Sequence, residues 1–218
     1  MDGNSRWAKK NNISKKKGYL KGLNNIYNIV ENCIEKKIKY LTLFALSSEN
    51  IKRPSINIIY EIMQKNFSEF VHKISNDERI KINIVGDKEN IPIKIKKILF
   101  ELEKLTKDNN KINVNIAFNY GSSNELIYLI NNFIEVKKTN KNIIINEKTI
   151  KKNMYLSNIP DPDILIRTGG FNRLSNFLLL HLSYTELFFS KILWPDFKKK
   201  DLNHIIKKFQ KIERKYGL

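Results

Sequence analysis

A chain of 218 residues, 41% hydrophobic and 28% charged, is sized for one soluble domain with a substantial core, and residues 1–218 are read as that single domain. Its one cysteine, Cys33, excludes an intrachain disulfide framework or a Cys-ligated metal cluster and fits a reducing compartment. The longest apolar stretch, residues 176–189, is broken by polar side chains and falls well short of the roughly 18–20 apolar residues of a membrane span; the N-terminus also lacks the apolar run of a signal peptide.

In chain order, residues 1–10 (MDGNSRWAKK) put an acid, a glycine, small polar groups, a cation and an aromatic close together, the make-up of a catalytic loop. Residues 17–37 carry apolar side chains at helical spacing (Leu20, Leu23, Ile26, Ile29, Val30, Ile34) and lead into a near-continuous apolar run, 38–46, that predicts a buried strand. A helix follows over 53–74, then a strand over 80–87, an amphipathic helix over 91–108 and a strand over 111–121. Helices over 122–138 and around 146–156, strands over 163–170 and 185–190, and a closing helix over 196–217 complete the pattern. Strands alternating with helices of this length predict an α/β fold with a mostly parallel central sheet flanked by helices.

The charge of +18, from 40 Lys and Arg against 22 Asp and Glu, suits nucleic acid, an anionic membrane or a phosphorylated substrate. Most of it has a plainer origin. Lys, Asn and Ile pervade the chain, as AT-rich coding would produce, and the lysines are scattered. Only six basic residues are arginine, so these report a need for a guanidinium. Arg6, Arg53, Arg167 and Arg173 fall in short segments rich in Gly, Asn or Ser, and four planar donor forks predict a polyphosphate ligand. Residues 47–54 and 167–176 each follow a predicted strand, where parallel sheets bind ligands.

Six segments in order, MDGNSRWAKK, LTLFALSSENIKRP, INIVGD, NIAFNYG, DILIRTGGFNRLSNFLL and YTELFFSKILWPDF, resemble the cis-prenyltransferase family, whose bacterial type is undecaprenyl diphosphate synthase. The resemblance implies condensation of isopentenyl diphosphate onto an allylic diphosphate, usually farnesyl diphosphate, with Mg²⁺. It makes Asp2 the essential acid and Glu186 a second metal-associated carboxylate. It assigns Gly3, Asn4, Ser5, Arg6 and Trp7, with Lys15 and Tyr19, to the allylic diphosphate, and Arg167, Arg173, Leu174 and Ser175 to isopentenyl diphosphate. Ser47, Ser48, Glu49, Ile51 and Arg53 surround Asn50, whose carboxamide would help remove the C2 proton. An amide is a weak base, so diphosphate or water would share that transfer.

For the lipid chain, Ile58, Ile59, Met63, Phe67, Phe70 and Val71 on one helix and Ile95, Ile98, Leu99 and Leu102 on the next are tunnel candidates, with core packing the favoured role for each taken singly. His72, His181 and His204 show no ligand spacing and read as structural or surface groups. The family also implies a homodimer with contacts near residues 182–197, a cytoplasmic protein peripheral to the membrane that receives its product, no nucleic-acid partner, and a buried strand directly ahead of Met1. Ser5, Lys15, Tyr19, Ile51, Asn57 and Phe171 depart from the family pattern. Those departures leave a second reading, a weakened or non-catalytic partner subunit; a nucleic-acid-binding protein, resting on the charge alone, is a third.

Overall fold

The computed structural model describes residues 1–75 and 77–214, without the side chains of 67–75. Phe67, Phe70, Val71 and His72 therefore lie outside the described side chains.

Three residues lead into helix α1 (Asn4–Lys10), which packs on α2 (Lys15–Glu35). The opening segment is thus mostly helical rather than a loop: the carbonyl of Gly3 accepts from the Trp7 N–H at 2.8 Å and starts the first turn. Ser14 caps α2 by accepting from the Lys17 N–H. Gly22 lets the two helices approach, since a Cβ there would stand 2.1 Å from Asn4 Oδ1. Strand β1 (Tyr40–Ser47), helix α3 (Ile56–Ser75), β2 (Ile80–Val85), α4 (Ile93–Leu105) and β3 (Ile112–Tyr120) follow. The second half contributes α5 (Ser122–Thr139), α6 (Glu147–Asn153), β4 (Ile164–Arg167), β5 (Glu186–Phe189) and α7 (Lys199–Phe209). The closing helix is shorter than its apolar pattern suggested: residues 194–196 form a separate 3-10 turn around Pro195 ahead of it, and within the described residues it ends at Phe209.

Among the described residues every strand pair is parallel, in keeping with the mostly parallel sheet predicted, but the strands form two hydrogen-bonded groups, β1-β3-β2 and β4-β5. Among the described residues no backbone hydrogen bond joins β1 to β4. A cavity of about 1320 Å³ runs along both strands, with Met1 among its lining residues. The main core gathers Ile29, Val30, Leu43, Ile82, Ile95 and Val114 among others, so α2, α4 and α7 cover the three-stranded group. Within that group, Thr42, Asn115 and Asn83 lie side by side and hydrogen-bond across all three strands at 3.1 and 3.0 Å, satisfying the fully buried Asn115. Indole Nε1 of Trp194 donates to the Gly22 carbonyl, and Asn25 Nδ2 donates to the carbonyls of Trp194 and Phe197, all at 2.8 Å. These three bonds tie the turn after β5 to α2, alongside the start of α1.

Candidate functional site

The carboxyl ends of β1 and β4 and the start of α1 meet at one rim. There the Asp2 N–H donates to Thr168 Oγ1 at 3.0 Å, and the Asp2 carboxylate receives Arg6 Nη2 at 3.1 Å and Arg167 Nη2 at 3.0 Å. Arg6 Nη1 donates to the Gly169 carbonyl at 2.6 Å. Arg167 Nη1 donates to Ser175 Oγ at 2.8 Å and to the Arg173 carbonyl. One carboxylate therefore orients two guanidiniums, and the second of them organises the loop that carries Arg173 and Ser175.

Phe171 is the centre of the cluster. The guanidinium carbons of Arg173, Arg6 and Arg167 lie 4.1, 4.5 and 5.7 Å from its ring centroid. Cation–π attraction gathers the three cations without neutralising them. In the sequence Phe171 stood out only as a departure; its position between arginines distant in the chain becomes visible once α1 and the loop after β4 meet.

The third segment enters from β1. Glu49, Asn50 and Arg53 line the same cavity, the Asn50 N–H donates to Ser47 Oγ at 3.2 Å, and Glu49 Oε1 receives Asn176 Nδ2 at 2.8 Å. Burial alone would raise the Glu49 carboxyl, but the Asn176 hydrogen bond, further bonds from its own backbone and Ser47, and the charge of Arg53 hold it below the usual carboxylate range.

All four arginines singled out by composition, Arg6, Arg53, Arg167 and Arg173, line this one cavity, with Asp2, Gly3, Asn4, Ser5, Tyr19, Leu174 and Ser175. Arg79, by contrast, pairs with Asp77 and Glu31, and Arg214 with Asp163. Not every predicted site residue arrives there. Trp7, Lys15, Ser48 and Ile51 do not line the cavity: Lys15 is exposed at the start of α2, the Ser48 N–H pairs with the Tyr120 carbonyl, and Ile51 packs on the main core. Ser5 lies in α1 with an ordinary helical φ, so a side chain is tolerated there, and its Oγ lies 3.4 Å from Tyr19 Oη.

Glu186 is not brought to Asp2. It opens β5 opposite Ile164, whereas Asp2 meets Thr168 beyond the other end of β4, four residues or roughly 13 Å along the strand. Among the described residues no group of three His, Cys, Asp or Glu side chains could hold a metal by itself. Of the two predicted ligands, Asp2 is the one in the arginine cluster, and its carboxylate is about one-third exposed. One carboxylate completed by diphosphate oxygens and water is a donor set that suits Mg²⁺.

A second, apolar cavity of about 160 Å³ adjoins the first. Ile59, Met63, Ile98, Leu99 and Leu102 line it, as tunnel candidates from the sequence, whereas Ile95 belongs to the closed core and Ile58 lies off the cavity. Leu23 and Ile26, part of the apolar helical face of α2, supply another wall. Met1, Asn4, Tyr19, Ala45, Ile59 and Trp194 line both cavities, so a cationic head site and an apolar slot share a wall.

Residues 1–217 match the family described as "Putative undecaprenyl diphosphate synthase". The chain belongs to that prenyltransferase family. An isoprenyl transferase of Thermotoga maritima is 40% identical over all of this chain and 94% of its own length. A tritrans,polycis-undecaprenyl-diphosphate synthase (geranylgeranyl-diphosphate specific) of Pyrococcus abyssi is 37% identical over all of this chain and 84% of its own. The crystal structure of lavandulyl diphosphate synthase from Lavandula x intermedia, in complex with dimethylallyl diphosphate, superposes with a TM-score of 0.93 at 28% identity, covering all of this chain and 95% of that one. That of "a probable undecaprenyl diphosphate synthase" from Campylobacter jejuni has a TM-score of 0.81 at 33% identity, covering 91% and 92%. These prenyltransferase relatives support the main reading of the sequence over the partner-subunit and nucleic-acid alternatives. No helix among the described residues is long and apolar enough to cross a membrane.

Proposed function

We propose that this prenyltransferase joins isopentenyl diphosphate to an allylic diphosphate with cis stereochemistry, giving a polyprenyl diphosphate such as the undecaprenyl carrier of cell-wall glycan assembly. The shared wall between the arginine-lined and apolar cavities carries the proposal, because an allylic diphosphate is a dianionic-to-trianionic head on a hydrocarbon tail.

In the reaction the allylic C–O bond breaks and its electrons leave with diphosphate, the isopentenyl double bond attacks the resulting cationic carbon, and a proton leaves C2. Charge grows on the departing phosphate. Arg6, fixed by Gly169 and Asp2, presents a pre-oriented guanidinium to it, so little reorganisation is needed as that charge develops. Arg173 and Ser175, held by Arg167, grip the second diphosphate and hold the double bond near the first substrate. Asn50, half-buried on the cavity wall, orients the C2 proton toward diphosphate or water. Tyr19, Ile59 and Met63 exclude water from the tail.

Asp2 would hold Mg²⁺, which when bound supplies positive charge that stabilises the leaving diphosphate. We further propose a homodimer through the face around β5, where Leu187, Phe189, Tyr184, Leu179 and Leu180 expose large apolar side chains beside an open strand edge. The protein would act in the cytoplasm and meet the membrane peripherally, its cationic surface favouring an anionic leaflet.

Incubation with labelled isopentenyl diphosphate, Mg²⁺ and farnesyl, geranylgeranyl or dimethylallyl diphosphate tests the reaction. Butanol-extractable label that requires the allylic substrate and disappears with a chelator is expected. No label with any of the three would overturn the proposal. Sedimentation at several concentrations tests the dimer, and a monomer at every concentration would refute it.

A further inference from the structure

The diphosphate-gripping loop has an anchor away from the arginine cluster. Glu125, in the first turn of α5, is fully buried, and His181, at the far end of the loop that begins at Thr168, is only 4% exposed. His181 Nε2 lies 3.2 Å from both Glu125 carboxylate oxygens, Tyr120 Oη donates to Glu125 Oε2 at 2.6 Å, and the Tyr155 N–H donates to Oε1 at 2.9 Å. Three separate segments thus converge on one buried carboxylate. A buried carboxylate is retained at high cost unless each oxygen is satisfied, and here both are.

The loop needs such an anchor. Ser175, Asn176 and Leu178 all have positive φ, at 50°, 60° and 52°, conformations that L residues other than Asn adopt at a cost and keep only when their surroundings impose them. The front of the loop is held by Arg167 on Ser175. Its back is held by α5: the Ser122 N–H donates to the Asn176 carbonyl at 2.9 Å, and Ser122 Oγ accepts from the Leu179 N–H at 2.8 Å. His181 follows two residues later, its own N–H bonded to the Leu178 carbonyl at 2.8 Å.

We infer that the buried Glu125–His181 pair positions the Arg173–Ser175 arm for isopentenyl diphosphate, so that it sets affinity for that substrate while leaving the allylic half of the site alone. The inference rests on the proposed reaction. Its geometric basis is that Asp2 and Arg6 approach the cavity from α1, and neither makes a hydrogen bond to α5 or to residues 176–181 among the described residues; the two halves are linked through Arg167, which Asp2 orients from the allylic side whatever holds the back of the loop.

The test compares His181→Leu, which fills space without a donor, with His181→Gln, whose carboxamide can still donate to Glu125. His181→Leu is expected to raise KM for isopentenyl diphosphate about tenfold, with kcat and the KM of the allylic substrate each within about threefold of the parent, while His181→Gln restores KM to within about threefold, in line with a lost hydrogen bond to a charged group. Equal rises in both KM values, a fall in kcat alone, unchanged kinetics in His181→Leu, or His181→Gln as impaired as His181→Leu would each overturn the inference. If His181→Leu does not fold, Tyr120→Phe, which removes the 2.6 Å bond to the same carboxylate, is read by the same criteria. Calorimetric titration with inorganic diphosphate separates the two claims. A parent protein that binds it but shows no turnover refutes the reaction, and equal affinity in the parent and His181→Leu then refutes the positioning role as well.

Discussion

Gly169→Ala is the most instructive small change to the site. Gly169 has φ +91°, and a Cβ built there would stand 2.6 Å from Arg6 Nη2 and 3.0 Å from the Asp2 carbonyl oxygen. Two costs follow. An L residue in that backbone conformation is strained by about 1–3 kcal/mol, which for a domain of this size lowers Tm by several degrees, at about 2–4 °C per kcal/mol. The methyl group must also push Arg6 aside, breaking charge-assisted bonds to the Gly169 carbonyl and to Asp2 that are each worth about 1.5–3 kcal/mol. Losing one such bond in the transition state corresponds to a fall of about 10–150-fold in kcat/KM. Gly170→Ala is the matched control: its φ is +79°, but its Cβ would meet nothing closer than Lys191 Cα at 3.8 Å. Both variants should melt lower, and only Gly169→Ala should lose allylic kcat/KM by about 10-fold or more in the labelled-isopentenyl assay. Equal activity losses in the two variants, or Gly169→Ala within threefold of the parent, would refute the claim that a fixed Arg6 matters.

Phe171→Leu removes the ring that gathers three guanidiniums, at about 0.5–1 kcal/mol per exposed cation–π contact; steady-state kinetics should show diphosphate KM values rising about two- to fivefold with kcat little changed. Met63→Trp should fill the 160 Å³ apolar cavity, and thin-layer separation of the extracted products should show shorter chains than the parent makes. Glu125 has its carboxyl held below the usual 4.5: burial would raise it, but hydrogen bonds from His181, Tyr120 and the Tyr155 backbone outweigh that. A depressed carboxyl contributes stability that is fully present above 4.5 and lost as pH falls through its lower folded value, so Tm should drop on acidification below 4.5. The drop should be shallower in Glu125→Gln, measured by circular dichroism at each pH.

The alternation of strands and helices was readable because β1 is a near-continuous apolar run, β3 is rich in β-branched and aromatic residues and ends at a glycine, and α2 and α4 keep helical spacing. The arginines were equally legible: against a lysine-rich background, the four that composition and local sequence marked out all line one cavity. The helical state of Asn4–Lys10 was not, since a short helix with Asn and Ser in its first turn owes its stability to packing on α2, which local propensity does not encode. Phe171 and the Glu125–His181 pair escaped for a related reason. Arg6 is more than a hundred and fifty residues from Phe171, and Glu125 is 56 residues from His181, so only tertiary contact turns a conspicuous phenylalanine and a lone histidine into working parts. The separation of Glu186 from Asp2 is likewise a matter of strand register, set by the pairing of Ile164 with Glu186.

Asp2→Ala offers the most direct test of the central claim, that one carboxylate and its arginines form a diphosphate-transfer site. Asp2 bridges Arg6 and Arg167 and is the proposed holder of Mg²⁺, so turnover depends on it twice. Incorporation of labelled isopentenyl diphosphate, measured beside the parent in Mg²⁺, should fall at least a thousandfold while the variant stays folded by circular dichroism. Incorporation within tenfold of the parent would contradict the account.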